Sequence, residues 1–190
     1  MIYRNVELHN VAEVVEYEDG SFSWLRVPQA AQDTMENGEQ SIKQNICGTG
    51  VEIRFVMKSD TVTVRMTRLR PEEKTTNLVH LYRGGFQGCF TDNCVSSNVT
   101  SEICDIVINK FDRQERLEKM TELTGTPWDP EVIRLCFDRG RFRIVDIIGD
   151  VEPPKASQKP AKTLLCYGSS ITHGEGALTR PSTWVSQVAQ

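Results

Sequence analysis

Apolar and polar residues alternate with period two along most of residues 1–151. The clearest stretch sets Val51, Ile53, Phe55 and Met57 against Glu52, Arg54 and Lys58. After Lys58-Ser59-Asp60 the alternation resumes, with Val62, Val64 and Met66 against Thr61, Thr63 and Arg65. Successive side chains of a strand point to opposite faces, so each segment predicts a strand with one apolar face and one polar face. The short polar turn between them predicts a hairpin. Weaker segments of the same kind run over 78–83, 86–90, 103–108, 132–137 and 142–148, with turns between neighbours at Gly84-Gly85 and Arg139-Gly140. Upstream, 6–8, 11–15 and 23–27 predict further strands, with Asp19-Gly20 between the last two. Many short strands separated by turn residues favour a two-sheet β-sandwich or jelly roll.

Two segments break this rhythm. Residues 28–35 (PQAAQDTM) predict one or two helical turns opened by Pro28. Residues 112–123 (DRQERLEKMTEL) predict a surface helix, with an acidic start, Leu117, Met120 and Leu123 at helical spacing, and Gly125 and Pro127 to stop it. The Pro- and Lys-rich stretch 152–162 has almost no apolar content and predicts a semi-extended linker. Beyond it the pattern changes. Leu164 to Tyr167 form a continuous apolar run that predicts a buried strand, and 181–190 predicts a helix with Trp184, Val185 and Val188 on one side. The expected fold is mainly β: a jelly-roll-like sandwich over 1–151, a linker over 152–162, and over 163–190 the first strand-loop-helix of an α/β unit that the chain leaves incomplete.

Composition narrows the function classes. The formal net charge of -4 argues against a nucleic-acid binder, which needs a concentrated basic surface. Arg65, Arg68 and Arg70 form the densest basic cluster, and their spacing predicts a solvated sheet face. Residues 1–10 (MIYRNVELHN) do not read as a signal peptide, and no apolar run approaches the ~20 residues of a membrane span. A cytoplasmic protein is expected. Cys47, Cys89, Cys94, Cys104, Cys136 and Cys166 include no CxxC pair and are expected as buried thiols. No histidine lies near Cys89, Cys94 and Cys104 in sequence, so neither a metal nor a cofactor is expected.

The most distinctive stretch is 163–174, TLLCYGSSITHG. An apolar run breaks at Gly168, passes Ser169 and Ser170, and turns, which leaves a hydroxyl exposed at the carboxyl end of the predicted strand. Residues 167–174 resemble the first sequence block of the SGNH, or GDSL-type, hydrolases: Gly-Asp-Ser-Leu/Ile-Thr with a Gly soon after. The segment around Ser182-Thr183-Trp184 resembles the family's next segment, on the carboxyl side of that block. The β-rich region with Trp128-Asp129-Pro130, Gly149-Asp150-Val151 and Pro153-Pro154 resembles the amino-terminal jelly-roll domain of some of these esterases and acyltransferases.

The resemblance implies a flavodoxin-like second domain. In it Ser170 is the nucleophile and contributes its own backbone N–H to an oxyanion hole, with Gly168, Ser169 and Thr172 supporting the turn. Ser169 stands where the family has Asp. The family's other oxyanion donors, a Gly and an Asn, and its Asp-x-x-His would fall after Gln190, so the 190-residue chain by itself is expected to be inactive. His173 is too close to Ser170 on a short turn to serve readily as its base, and His9 and His80 fall in strand-like segments with a structural role expected.

Trp24, Tyr82, Arg83 and Phe86 are candidates for a surface by which the first domain shapes the substrate site. The expected function is a carboxylic-ester hydrolase or acyltransferase acting on a small-molecule or carbohydrate ester. The alternative is a non-catalytic β-sandwich that binds carbohydrate or a protein partner. An apolar strand over 163–167 without neighbours of its own domain would be mobile or covered by a second copy of the chain, giving a homo-oligomer.

Overall fold

A computed structural model describes residues 1–36, 38–70, 72, 77–88 and 96–189. Thirteen strands occur among them: β1 (Ile2–Tyr3), β2 (Val6–His9), β3 (Glu13–Glu16), β4 (Phe22–Leu25), β5 (Glu52–Met57), β6 (Thr61–Arg68), β7 (Leu78–Arg83), β8 (Phe86–Gln87), β9 (Ser96–Asn98), β10 (Cys104–Asn109), β11 (Val132–Phe137), β12 (Phe142–Ile148) and β13 (Val151–Glu152). The helices are α1 (Gln29–Gln32), α2 (Gly38–Asn45), α3 (Gln114–Thr124), α4 (Ser170–His173) and α5 (Trp184–Ala189). The first sheet runs β1-β2-β5-β11-β7-β8, with β13 added to β5 and β9 to β7; the second runs β10-β6-β12-β4-β3. The protein is a mainly β, two-sheet sandwich.

Period-two patterning explains how the sheets pack. Val6, Leu8, Ile53, Phe55, Val79, Leu81, Leu135 and Phe137 of the first sheet meet Phe22, Trp24, Val62, Val64, Met66, Ile106, Ile108, Phe142 and Ile144 of the second in one buried core. At one end, Trp24 meets Phe137 edge to face at 5.0 Å and Phe137 meets Phe142 at 4.8 Å. Aromatic pairs in this geometry add stability beyond the area they bury.

The expected β5–β6 hairpin does not form, although both strands do. β5 pairs with β2, β11 and β13, whereas β6 pairs with β10 and β12, so the 58–60 turn carries the chain from one sheet to the other. The Lys58 and Ser59 amides donate to the Asp150 carbonyl instead of closing a hairpin. Alternation reports which side of a strand is buried; it does not report which strand lies beside it. The Arg139-Gly140 turn likewise joins strands of different sheets, β11 and β12. Asp19-Gly20 and the turn expected at Gly84-Gly85 each lie between strands that pair with one another, β3 with β4 and β7 with β8.

Gly149 closes the sheet-crossing corner. Its φ is +113°, and a Cβ there would lie 2.7 Å from the Thr61 carbonyl oxygen. Gly149→Ala is therefore expected to cost about 1–3 kcal/mol, read as a lower urea midpoint.

Helices α1 and α3 lie in the segments expected, and Gly125 ends α3 in the left-handed conformation at φ +66°. Helix α2 was not expected, because its low apolar content gives no helical stripe. The strand expected over 164–167 is absent. These residues have no sheet partner, and Leu165 and Tyr167 are 90% and 99% exposed. An apolar run forms a strand only where a neighbour pairs with its backbone, and among the described residues none does.

The proline-rich stretch is bound to the sandwich. It forms a 3-10 turn over Ala156–Gln158, the Gln158 carbonyl accepts from the Asp129 amide, and the Lys159 ammonium pairs with Glu7. The strand expected over 86–90 is described only as far as Gln87 in β8, and Cys89, Cys94 and the last residue of the expected carboxyl-terminal helix, Gln190, lie outside the described residues. No helix among the described residues is long and apolar enough to cross a membrane.

Candidate functional site

Ser170 opens α4 and is exposed to solvent. The turn is compact for a local reason: the Thr172 side chain lies over Gly168, where any Cβ would collide with it. Ser169 precedes the helix with extended backbone, φ -85° and ψ -155°, and its hydroxyl makes no capping bond. Gly174 ends α4 at φ +107°, a conformation that favours glycine. The amides of His173, Gly174 and Glu175 bond back to Ser169, Ile171 and Ser170.

His173 does not turn to Ser170 as its partner. Its Nε2 lies 3.2 Å from Sγ of Cys47, a residue buried just after α2. The Arg26 Nη1 approaches both, at 3.2 Å from the sulfur and 3.3 Å from Nε2. Burial opposes ionisation of the Cys47 thiol, but the His173 hydrogen bond and the Arg26 charge outweigh it and hold its pKa down at about 6. Sequence reading missed this cluster, since 126 residues separate Cys47 from His173 and no local spacing links them.

A second polar group occupies the outer face of the first sheet, where alternation puts Glu7 beside Arg54, His9 beside Glu52, and Arg134 beside Tyr82. The Glu52 carboxylate accepts from Arg54 Nε at 2.8 Å, from Arg134 Nε and Nη2 at 3.0 and 2.9 Å, and from Arg180 Nη2 at 2.8 Å. Trp128 covers the pair of guanidinium groups, 4.9 Å from Arg54 and 4.0 Å from Arg134. Arg180 also donates through Nη1 to the Val51 carbonyl and through its amide to Asp138, both at 2.6 Å. A residue of the carboxyl-terminal segment is thereby pinned to the sandwich. Burial, with the Arg54 charge beside it, pushes His9 down to about 4, so this imidazole is neutral at pH 7. His80 pairs with Asp138 at 3.1 Å.

Of the residues proposed to shape a substrate surface, Tyr82, Arg83 and Phe86 meet at one cavity of about 380 Å³. Leu117 of α3 and Pro181 and Gln187 of the carboxyl-terminal segment also line it. Ser170 is not in that lining. Trp24 is not a surface residue at all. It is fully buried in the core, and its Nε1–H donates to the Cys47 carbonyl at 3.2 Å. Its alternation with Leu25 is that of a strand buried on both faces.

Arg65 behaves as a solvated sheet residue, in a two-bond pair with Asp105 on the neighbouring strand at 2.7 and 2.8 Å. Among the described residues, no three ligating side chains come together to hold a metal ion.

No family model and no curated protein matches the chain. A solved structure resembles its fold. That structure is the salicylyl-acyltransferase SsfX3 from a tetracycline biosynthetic pathway, at 15% identity and a TM-score of 0.65 over 98% of this chain and 49% of the other. The chain thus spans about half the length of the solved structure it matches. These findings overturn the SGNH/GDSL assignment. The matching block covers about a dozen residues, the family's Asp is replaced by Ser169, and no family model supports it. Small residues and a hydroxyl around a sharp bend are what any tight turn requires, so they cannot carry a family assignment alone.

Proposed function

We propose that this chain belongs to an enzyme that moves an acyl group, with Ser170 as the residue that accepts it. The fold likeness to an acyltransferase over 98% of the chain is the observation that carries the reading. The exposure of Ser170 on a turn held by Gly168 and Thr172 supports the choice of residue.

In the proposed reaction the Ser170 hydroxyl attacks the carbonyl carbon of an activated acyl donor. Its proton passes to a base, and the donor's alcohol or thiol leaves with a proton, so that an ester forms on Ser170. A second alcohol, or water, then attacks that ester and restores the hydroxyl. The Ser170 backbone N–H is proposed to stabilise the oxyanion formed at each attack. His173 is engaged with Cys47 and His80 with Asp138, so the base is proposed to come from the part of the protein that corresponds to the other half of the matching structure. The cavity beside Tyr82, Arg83 and Phe86 is proposed to take a flat or glycan-like portion of the substrate. We place the protein in the cytoplasm, a choice supported by free thiols at Cys47, Cys104, Cys136 and Cys166.

The test uses a short-chain aryl ester with a protein that includes the part proposed to supply the base. An acyl adduct is expected on the peptide containing Ser170, and Ser170→Ala is expected to lower turnover by about 10³-fold or more. Because Ser170 is exposed, the same substitution should change stability by no more than about 0.5 kcal/mol. The 190-residue chain alone is expected to turn over the ester only at the background rate. Full turnover in Ser170→Ala would reject the reading. Glycan binding at the Tyr82 cavity, with no acyl adduct, would leave a binding module in its place.

A further inference from the structure

We propose that Cys47 and His173 form a positioning pair, a buried sulfur on the sandwich and an imidazole on α4, which clasps the Ser170 turn against the sandwich. The consequence for chemistry rests on the Ser170 reading above; the clasp itself does not.

Gly168 and Thr172 set the bend of the turn but do not hold it against the sandwich. Helix α4 is a single turn of four residues, and so short a helix is marginal without tertiary contacts. Two other contacts tie the neighbouring chain down. The exposed ion pair of Glu175 with Arg139 at 2.6 Å is worth little. Arg180 is strongly bound, but it lies ten residues beyond Ser170 and leaves the intervening backbone free to move. His173, three residues from Ser170, makes the contact that reaches a buried partner.

The geometry allows two proton arrangements. In the neutral one the thiol S–H donates to the Gln44 carbonyl at 3.0 Å and Arg26 donates to Nε2. In the ionised one the sulfur accepts from both Nε2–H and the Arg26 Nη1–H, at 3.2 Å each. The ionised arrangement places the negative charge of the sulfur between the Arg26 guanidinium and the Nε2–H of His173. A charge-assisted hydrogen bond of this kind is about twice as strong as a neutral one. The charged groups acting on the sulfur are Arg26, from the chain after β4, and His173, from α4; the Thr49 amide adds a further hydrogen bond. The thiolate is therefore favoured, and with it a stronger hold on the turn.

Thiolate absorbance in the ultraviolet tests this directly, as the difference between the 190-residue chain and its Cys47→Ser variant. Ionisation is expected with a midpoint near 6. In His173→Gln it should move up toward the ordinary thiol value of about 8.5. Hydrogen exchange supplies the second readout: the amides of His173, Gly174 and Glu175 should exchange about tenfold faster, or more, in either variant. His173 is only half-buried, so His173→Gln is expected to remain folded even if Cys47→Ser does not. An ordinary midpoint in the unsubstituted chain would overturn the proposal, as would a His173→Gln variant that moves neither readout. Should both readouts behave as expected while Ser170→Ala keeps full acyl transfer, the clasp stands and the Ser170 reading is the one that fails.

Discussion

Glu52→Ala is expected to destabilise the protein by about 3–5 kcal/mol, enough to consume much of a small domain's stability. Glu52 is 3% exposed and takes hydrogen bonds from Arg54, Arg134 and Arg180. Removing it leaves buried guanidinium groups facing one another under Trp128 without the charge that balances them. The cost is that of uncompensated buried charge, which exceeds the net worth of the ion pairs themselves. Glu52→Gln keeps the shape and accepts fewer bonds without the charge, so an intermediate loss is expected. Urea denaturation of the three proteins checks the order, and a loss below about 1 kcal/mol for the alanine variant would contradict it.

The same residue sets a pH dependence. Burial opposes Glu52 ionisation, but Arg134, Arg180 and Arg54 overcome it and hold the carboxyl well below its usual range. A depressed folded pKa contributes stability that is complete above the unfolded value and is lost as pH falls toward the folded one. The unsubstituted protein should therefore lose stability on acidification below about pH 4.5, and Glu52→Gln should lose less over the same interval.

Trp24→Ala is expected to cost about 3–5 kcal/mol, a second loss on this scale from a different cause. The ring is fully buried and packs on Phe137 and Phe142, so its removal leaves a cavity that neighbouring strands cannot close without breaking register. Trp24→Phe should retain most of the packing. It would still leave the Cys47 carbonyl without the indole donor, a loss of about 1–3 kcal/mol. The measurement separates core from site. A lower denaturation midpoint with unchanged substrate affinity is expected, and the reverse pattern would return Trp24 to the substrate surface.

How far the candidate site could be read in advance depended on how local its parts are. Ser170, Gly168 and Thr172 lie within five consecutive positions, and a turn of that length is largely specified by its own residues. Tyr82, Arg83 and Phe86 meet at a cavity because they flank the Gly84-Gly85 hairpin, another local unit. Cys47 and Arg26 come to His173 only through packing, and Arg180 reaches Glu52 across 128 residues.

Which segments become strands, and which side of each is buried, could be read along the chain, because alternation is a property of the strand alone. That logic placed β7, β11 and β12 to the residue. The choice of neighbouring strands was settled by packing, which is why β5 and β6 lie in different sheets. Packing also settled the fate of the polar faces. The face carrying Glu7, Glu52 and Arg54 is covered by Trp128, Lys159 and Arg180, whereas the Arg65 face stays in water, although the two patterns read alike in sequence. Burial of a polar face depends on what the rest of the chain lays across it, and no period in the strand itself records that.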